Sequence, residues 1–384
     1  MNTTHRKGIP VAQPVIGPDE EQAVTDVLRS GWISQGLRVA EFESKFAQYV
    51  GAPQAVAVSS CTTALHLALM ASGISPGDEV LCPSLSFIAT ANAIAYTGAT
   101  PVFIDVDLAT YNMDPSRARE AITSRTKAIL LVHQVGLPAA IGAFCQIAND
   151  FGLLLIEDAA CAIGSEYQGL RIGLPHSSMA CFSFHPRKIL TTGEGGMITC
   201  SEESTAARLR RLRQHAMSVS DLARHSAHRV ITEHYSEIGY NYRMTDLQAA
   251  IGVAQLRHLD QMLETRRKLA EYYTTRLSAI PWIICPSEPP TLRHNYQSYM
   301  VRLRSDAPMS RDDLAQRLLD QGIASRRGIM AIHREAPYRN DHWDRTLPFT
   351  NLLTDTTLIL PLFCGMTEEE QDQVVECIRK AGAN

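Results

Sequence analysis

The sequence lacks the signatures of a zinc site, a disulfide framework and a membrane protein. It contains no Cys-x-x-Cys pair and no His-Glu-x-x-His motif, which argues against a structural or catalytic metal. Its nine cysteines are scattered and odd in number, which is typical of reduced, buried thiols. No segment is apolar for the length of a membrane span, and the N-terminus lacks the apolar core of a signal peptide. We therefore expect a cytoplasmic protein with no membrane partner.

Basic surface and nucleotide-binding motifs are also missing. The formal net charge is −4, which argues against a nucleic-acid partner but leaves room for a local positive cleft. No GxxxxGK[ST] motif occurs and no GxGxxG follows a strand, so a P-loop enzyme and a Rossmann dehydrogenase are both disfavoured. The 384 residues, 45% of them hydrophobic, can form one large and one smaller domain.

The first 200 residues show a regular alternation of strand and helix patterns. Strands are predicted at 55–58, 79–82, 101–106, 128–133, 153–158, 179–184 and 197–200. Helices are predicted at 20–28, 38–50, 89–96, 115–122 and 141–151, after an extended arm at 1–18, and residues 59–69 are predicted to form a turn followed by an apolar helix. Such alternation predicts a largely parallel sheet with helices on both faces.

The second half predicts more helix and then a separate layer. A basic helix at 202–217 precedes a polar loop at 218–238, and we interpret the four histidines in and just before that loop (215, 225, 228, 234) as solvated, because they lack metal-ligand spacing. Thr245 and Gln248 form a capping-box pattern for a helix to about residue 263, followed by a second helix at 266–277. Strands at 298–303 and 358–362 and helices at 310–321 and 367–380 complete the chain. We predict a large domain at 1–263, which includes the arm, and a small α/β domain at 264–384.

One lysine stands between two strands, beside a glycine-rich turn. Lys188 follows the strand at 179–184, and three of the next turn's residues, Gly193, Gly195 and Gly196, allow close approach of the backbone to a bound group. Upstream, an apolar strand ends in Glu157 and Asp158. In open α/β sheets ligands bind at the carboxyl ends of strands, so Lys188 and Asp158 are expected near each other. A plain hairpin with a solvated lysine is the alternative.

A hydroxyl-rich turn at 59–63 begins an apolar helix. The amides at a helix N-terminus carry partial positive charge, and hydroxyls beside them complete an anion site. A Ser or Thr cap without any ligand explains the same residues, and the pattern alone leaves both interpretations open.

At these segments the chain resembles a known family. The stretches FSFHPRKILTTGEGG and IEDAACAIGSEYQG are similar to those of the DegT/DnrJ/StrS family of pyridoxal-phosphate-dependent sugar aminotransferases, and the likeness extends over nearly the whole chain. The resemblance implies the α/β fold of type I pyridoxal-phosphate enzymes, like that of aspartate aminotransferase. It has a large, mostly parallel seven-stranded sheet domain and a smaller C-terminal α/β domain.

The resemblance also implies the residues that act on the cofactor. Lys188 matches the Schiff-base lysine, which also moves the proton, and burial beside cations is expected to lower its pKa. Asp158 matches the carboxylate that holds the proton of the pyridine nitrogen. A dehydratase branch of the family carries His in place of the lysine, so Lys188 argues against that branch.

The remaining cofactor contacts are implied in the same way. Thr62, Thr63 and Ser183 match residues that bind the phosphate, and Phe87 matches the aromatic residue that stacks on the ring. Asn241 matches a phosphate contact that the family supplies across a homodimer interface. Pyridoxamine 5'-phosphate would be the intermediate form of the cofactor.

Three positions depart from the family pattern. Cys161 stands where glutamine usually contacts the 3-hydroxyl of the cofactor ring, and a thiol is a weaker hydrogen-bonding partner than an amide. The protonation behaviour of the cofactor is therefore expected to differ, unless the thiol faces away from it. Cys61 replaces a glycine of the phosphate turn, which puts one conformation with positive φ in doubt. Ala140 replaces a usual acidic residue.

The implied reaction moves an amino group from L-glutamate or L-glutamine to the keto group of a nucleotide-linked deoxysugar. A keto-cyclitol such as scyllo-inosose is the nearest alternative acceptor. A cofactor-binding regulator without turnover is the alternative from another class, and the intact pair of Lys188 and Asp158 disfavours it. The candidate substrate contacts are His185, Arg243, Arg326 and Arg327, although a solvated side chain explains each arginine equally well.

Overall fold

The computed structural model describes residues 8–382 except residues 175, 220–223 and 226. Its first elements are α1 (Pro18–Ser30), α2 (Leu37–Val50), β1 (Gln54–Val58), α3 (Cys61–Ala71), β2 (Glu79–Pro83), α4 (Ala89–Tyr96), β3 (Thr100–Ile104), α5 (Pro115–Glu120), β4 (Thr126–Val132), α6 (Ile141–Phe151) and β5 (Leu154–Asp158). There follow β6 (Glu166–Tyr167), β7 (Leu170–Arg171), β8 (Met179–Ser183), β9 (Gly196–Cys200), α7 (Glu203–Leu212), α8 (Asp246–Leu277), β10 (Ile283–Ile284), β11 (Leu292–Arg293) and β12 (Tyr299–Leu303). The chain ends with α9 (Arg311–Asp320), β13 (Arg326–Arg327), α10 (Asp341–Thr346), α11 (Pro348–Thr356), β14 (Thr357–Leu360) and α12 (Glu368–Ala381).

The seven strands predicted from the first 200 residues form one sheet in the order β1-β9-β8-β5-β4-β2-β3. The pairs from β8 to β3 are all parallel. Strand β9 pairs antiparallel with both β1 and β8, so it runs opposite to the other strands. The fold is therefore α/β with a mostly parallel seven-stranded sheet, and the predicted fold class is confirmed.

Apolar layers cover both faces of this sheet. One layer joins α2, α6 and α8 through a cluster that includes Phe42, Phe46 and Phe144. The other joins α3, α4 and α7 through residues such as Leu65 and Ile94. Because both faces are buried, the central strands consist of continuous apolar runs rather than alternating ones. The carboxyl ends of the parallel strands then remain as the open edge of the layer.

The C-terminal layer is a second, antiparallel sheet in the order β10-β12-β14-β13. Helices α9 and α12 pack against it through Leu314, Leu318 and Val374, which are fully buried. The predicted strands and helices of this region are present, with ends that differ by a few residues. This sheet brings β13 and the end of β14 to the open edge of the large sheet.

Two helix predictions are wrong. Helix α8 continues from Asp246 to Leu277 without the predicted break after residue 263, because no Gly or Pro interrupts it there and Arg266 is buried, donating to the carbonyls of Tyr296 and Gln297. Helix α7 ends at Leu212 rather than at residue 217. His215 and Ala216 have positive φ, and the His215 amide bonds to Tyr240, so tertiary contacts end the helix.

The predicted loop at 218–238 includes residues outside the described part of the chain. The four histidines predicted to be solvated (215, 225, 228 and 234) are all exposed. The described residues contain no cluster of three or more metal-ligating side chains. Among the helices in the described ranges, none is both long and apolar enough to cross a bilayer.

The N-terminal arm lies on the C-terminal layer. Ile9 forms a parallel bridge with Ile323, and its carbonyl accepts from the amide of Ala324 at 2.8 Å. The carbonyl of Val11 accepts from the amide of Leu362 at 3.2 Å. Val11 and Ala12 thereby reach the cavity described below.

Asp105 joins the end of β3 to the start of α11. Its buried carboxylate accepts from the amides of Phe349 at 3.0 Å and Thr350 at 2.7 Å and from the Thr350 hydroxyl at 2.8 Å. It therefore caps a helix that is distant in the sequence. We expect Asp105→Ala to lower the free energy of unfolding by about 2 to 4 kcal/mol, because these donors lose their acceptor.

Denaturant unfolding would measure that loss, with Asp306→Ala as the control, since Asp306 is exposed and the same chemical group is removed. A change for Asp105→Ala within about 0.5 kcal/mol of the control would contradict the role of Asp105 as a cap.

Candidate active site

A cavity of about 430 Å³ opens at the carboxyl ends of the parallel strands, between the large sheet and the C-terminal layer. It brings together most of the residues singled out from the sequence: Thr62, Phe87, Asp158, Cys161, Ser183, His185, Lys188, Arg326 and Arg327. Thr63, Asn241 and Arg243 are not among its lining residues. A larger groove of about 660 Å³ lies beside α2 and α7, but the residues of the sequence-predicted site do not line it.

Lys188 lies in the connection between β8 and β9, where its amide bonds to the His185 carbonyl at 2.8 Å. Its Nζ donates to the Cys161 Sγ at 3.1 Å. Burial works to lower the pKa of Lys188, but Cys161, Cys61 and Asp158 outweigh it, and the pKa is raised. The direction of the pKa shift is therefore opposite to the expected one, because the groups that act on Lys188 are two thiols and a carboxylate rather than cations. The ammonium must lose a proton before the amine can act as a nucleophile.

Asp158 ends β5 and is almost fully buried. Its Oδ2 accepts from the Thr90 hydroxyl at 2.9 Å and its Oδ1 from the Ala160 amide at 3.2 Å. Burial raises the pKa of Asp158, while these hydrogen bonds and the charge of Lys188 oppose the rise. A cationic partner beside it in the cavity would stabilise the charged form of this buried carboxylate.

Thr90 is a site residue that the sequence analysis missed. Its hydroxyl also pairs with that of Ser86 at 2.8 Å, so it holds Asp158 from the α4 side. The available signal was its position three residues after Phe87, one helical turn away on the same segment.

The start of α3 holds the residues that were predicted from the sequence to bind an anion. Ser60 is its N-cap, and the Ser60 hydroxyl accepts from the Thr63 amide at 3.2 Å. The Thr63 hydroxyl donates to the Ser60 carbonyl at 2.8 Å, so it closes the turn instead of facing the cavity, and of the two threonines only Thr62 lines it. Cys61 begins α3 and is not among the residues with positive φ, so the replacement of glycine there does not disturb the turn.

A second polar pair missed from the sequence lies at the cavity, where His133 is one of the lining residues. His133 and Glu157 are fully buried, with Nε2 and Oε2 at 2.7 Å. The Nδ1 of His133 accepts from the Ala139 amide at 3.0 Å, which leaves the proton on Nε2 to be donated to Glu157. The hydrogen bond from the His133 amide to the Asp158 carbonyl ties this pair to the end of β5.

Val135, beside this pair, lines the cavity with φ of 49°. A β-branched residue in that conformation carries strain of about 1 to 3 kcal/mol, which is typical of functional sites.

The substrate candidates differ in their placement. Arg326 and Arg327 form β13 and are exposed at the cavity rim, where Arg327 lies 3.7 Å from Glu335. His185 lines the cavity, and burial lowers its pKa. Arg243 lies outside the lining of its own chain's cavity, and the Ala140 departure is exposed beside α6.

The placement of Asn241 differs from that of the other predicted cofactor contacts. Asn241 is exposed and forms a backbone bridge with Gln214.

These residues fit pyridoxal phosphate. The cavity offers one amine, one buried carboxylate and a helix start for an anionic group. The ring of Phe87 is 67% exposed at the cavity, an unusual state for a large aromatic side chain and one that a planar ligand would cover.

Comparisons with known proteins agree with this geometry. The model of the DegT/DnrJ/EryC1/StrS aminotransferase family matches residues 14–379. The spore coat polysaccharide biosynthesis protein SpsC of Bacillus subtilis is 40% identical over 375 residues, which cover 97% of this chain and 96% of that protein. The crystal structure of the aminotransferase TlmJ from Streptoalloteichus hindustanus is 34% identical, with a TM-score of 0.90 and coverage of 98% of this chain and 99% of that one.

A putative sugar aminotransferase from Streptococcus pneumoniae in its PMP form is 28% identical, with a TM-score of 0.91 and the same coverage of both chains. The same protein is also known in a PLP form. On the family match, the relatives and the shared fold, the chain belongs to the DegT/DnrJ/EryC1/StrS aminotransferase family and is a pyridoxal-phosphate-dependent aminotransferase.

Proposed function

We propose that this enzyme transfers an amino group from L-glutamate or L-glutamine to the keto group of a nucleotide-linked deoxysugar, in the biosynthesis of an aminosugar for a surface polysaccharide or an antibiotic. The observation that carries the proposal is that one cavity holds Lys188 and Asp158 and has two exposed arginines on its rim. The amine and the carboxylate suit amino-group transfer, and the arginines suit an anionic acceptor.

Lys188 is the residue that we assign to covalent binding and proton transfer. Pyridoxal phosphate, when bound, supplies an electron sink and carries the amino group. With the cofactor bound, the Lys188 amine would hold it covalently and would take up the proton of the donor's α-carbon. The same Nζ would supply a proton in the half of the reaction that involves the acceptor.

Asp158 is assigned to the pyridine nitrogen of the cofactor, whose proton it would hold. Its hydrogen bonds from Thr90 and Ala160 fix the carboxylate on the cavity side of β5. Thr62 and Ser183, together with the amides that begin α3, are assigned to the phosphate, and Phe87 to the face of the ring.

The acceptor is assigned from charge at the rim. Arg326 and Arg327 are exposed, and guanidinium groups bind phosphate oxygens in a bidentate manner, which favours a diphosphate-linked sugar. The name of SpsC places that relative in polysaccharide biosynthesis, which supports a sugar acceptor here. A keto-cyclitol remains the second candidate, since it needs the same amine chemistry but no diphosphate site.

We also propose a homodimer in which each active site is completed by both chains. Asn241 is exposed and does not line the cavity of its own chain. This placement supports the role implied by the resemblance, in which Asn241 contacts the phosphate in the cavity of a second copy.

A substrate panel tests the proposed acceptor. The bound cofactor is first aminated with L-glutamate, and the remaining donor is removed. The enzyme is then mixed with keto-sugars linked to different nucleotides, with the corresponding free keto-sugars, or with scyllo-inosose. We expect return of the original cofactor spectrum with a nucleotide-linked sugar, and Arg326→Gln to raise KM for it by about tenfold, with little change for the free sugar.

Lys127→Gln is the matched control, because Lys127 is an exposed cation outside the cavity lining. Efficient reaction with scyllo-inosose alone would favour the cyclitol acceptor. No amination of the cofactor by glutamate or glutamine would contradict the proposed amino donors.

A further inference from the structure

The cavity contains an amine and a thiol in direct contact. The Nζ of Lys188 lies 3.1 Å from the Sγ of Cys161, and both side chains line the cavity. Cys161 is only partly buried and lines the cavity, from which a small solute can approach it. The other thiols near the centre, Cys61 and Cys181, are buried, and burial raises the pKa of each well above its usual range.

One short segment holds the backbones of both residues in place. Asn295 Nδ2 donates to the Cys161 carbonyl at 2.8 Å. Gln297, two residues later, accepts from the Ile189 amide at 3.1 Å and donates to the Arg187 carbonyl at 2.7 Å, on either side of Lys188. The contact between sulfur and nitrogen is therefore set by anchored backbone on both sides and not by two free surface side chains.

The charge arrangement favours oxidation at this sulfur. A positive nitrogen at 3.1 Å stabilises the negative charge that sulfur carries when it attacks a peroxide. Once the sulfur is oxidised, one of the interactions that raise the pKa of Lys188 is lost, while burial continues to favour the neutral amine. The same contact thus favours attack by the sulfur first and attack by the nitrogen of Lys188 second.

We propose that Cys161 and Lys188 form an oxidative modification site, in which hydrogen peroxide links Sγ to Nζ. In the first step the thiol attacks the peroxide, the O–O bond breaks, and sulfenic acid and one water form, with sulfur oxidised by two electrons. In the second step the Lys188 amine attacks the sulfur, the S–O bond breaks, the S–N bond forms, and the released hydroxide leaves as water with a proton from nitrogen. Two equivalents of a small thiol reverse the link and become a disulfide.

The modification depends on a free Lys188 amine. The link itself requires only the contact seen in the structure, whereas its consequence, exclusion of the cofactor, rests on the proposed function of Lys188. The oxidised chain would be held without cofactor until a thiol reduces it.

Mass spectrometry tests the link in the full-length protein after removal of the cofactor. The protein is treated with hydrogen peroxide, free thiols are alkylated, and the digest is searched for the Cys161 and Lys188 peptides joined with the loss of two hydrogen atoms. We expect this species in the wild type, its removal by dithiothreitol and its absence from Cys161→Ser.

Cys200 shares a tryptic peptide with an uncleaved Lys188, so a disulfide between Cys161 and Cys200 would join the same peptides with the same mass change, and Cys200→Ser is the matched variant. Cys200 Sγ is directed at the Glu202 carbonyl at 3.8 Å, and we expect the link to form without it. Loss of the link in Cys200→Ser, or oxidation of Cys161 to sulfinic acid with an unmodified Lys188, would overturn the proposal.

Protection by pyridoxal phosphate separates the link from the function. We expect added cofactor to suppress the joined peptide, and the oxidised protein to bind cofactor, measured by absorbance, only after reduction. If the link forms equally well with the cofactor bound, the role of Lys188 in cofactor binding is wrong while the modification site stands.

Discussion

Lys188→Ala is expected to lower the rate of amino-group transfer by about 10⁴-fold or more, because one nitrogen both binds the cofactor and moves the proton. The fold should persist, since the segment around Lys188 is held through backbone bonds to His185 and Gln297 that the substitution leaves in place. Release of 2-oxoglutarate from L-glutamate in a single turnover measures the first half of the reaction without any assumption about the acceptor.

The matched control for this prediction is Lys127→Ala, which removes an exposed lysine of β4 outside the cavity lining. Thermal unfolding of both variants checks that the fold is intact. A Lys188→Ala protein that still converts glutamate at a few per cent of the wild-type rate would show that another group moves the proton.

The sequence predicts the fold well because its strands and turns are locally encoded. The run Leu153 to Ile156 is apolar throughout, as a strand buried on both faces must be, and the carboxylates that follow mark its end. The capping box at Thr245 is confirmed, with the Gln248 amide donating to the threonine hydroxyl at 3.2 Å. Once such strand ends are known, parallel topology places Asp158 and the lysine after β8 at one edge.

What the sequence does not predict depends on contacts between distant residues. The end of α7 is set by a strand-like segment near Tyr240, which lies 28 residues beyond Leu212, at which the helix stops. Thr90 reaches Asp158 only because α4 packs over the end of β5, and no local pattern distinguishes its hydroxyl from any other on a helix. The raised pKa of Lys188 has the same origin, since it depends on Cys161 arriving from a different turn.

The same limitation applies to Thr63. Its hydroxyl and that of Thr62 look equivalent in the sequence, yet the N-cap geometry of Ser60 uses one and exposes the other. Side-chain direction at a helix start is decided by cap geometry at the atomic level, which residue type alone does not specify.

The position of Asn241 leads to the second large effect. Two exposed apolar side chains, Ile33 at 51% and Leu37 at 70%, lie near the segment that carries Asn241, because the Asp246 carboxylate accepts from the Gly36 amide at 2.8 Å. Exposed apolar residues beside a polar one suit a surface covered by a second copy. Asn241→Asp would then place a negative charge against the phosphate in the partner's site and sharply weaken cofactor retention.

Hybrid dimers test this arrangement directly. Lys188→Ala and Asn241→Asp are each expected to be inactive when the cofactor is limiting. After they are mixed, unfolded and refolded together, about a quarter of the wild-type activity should return, because half of the dimers are hybrids and each hybrid has one site with neither defect. Asn149→Asp, an exposed substitution of the same kind, is the control and should stay active on its own. A mixture that stays inactive while light scattering shows dimers would mean that Asn241 does not act across the interface, and a monomer that retains cofactor would exclude the shared site altogether.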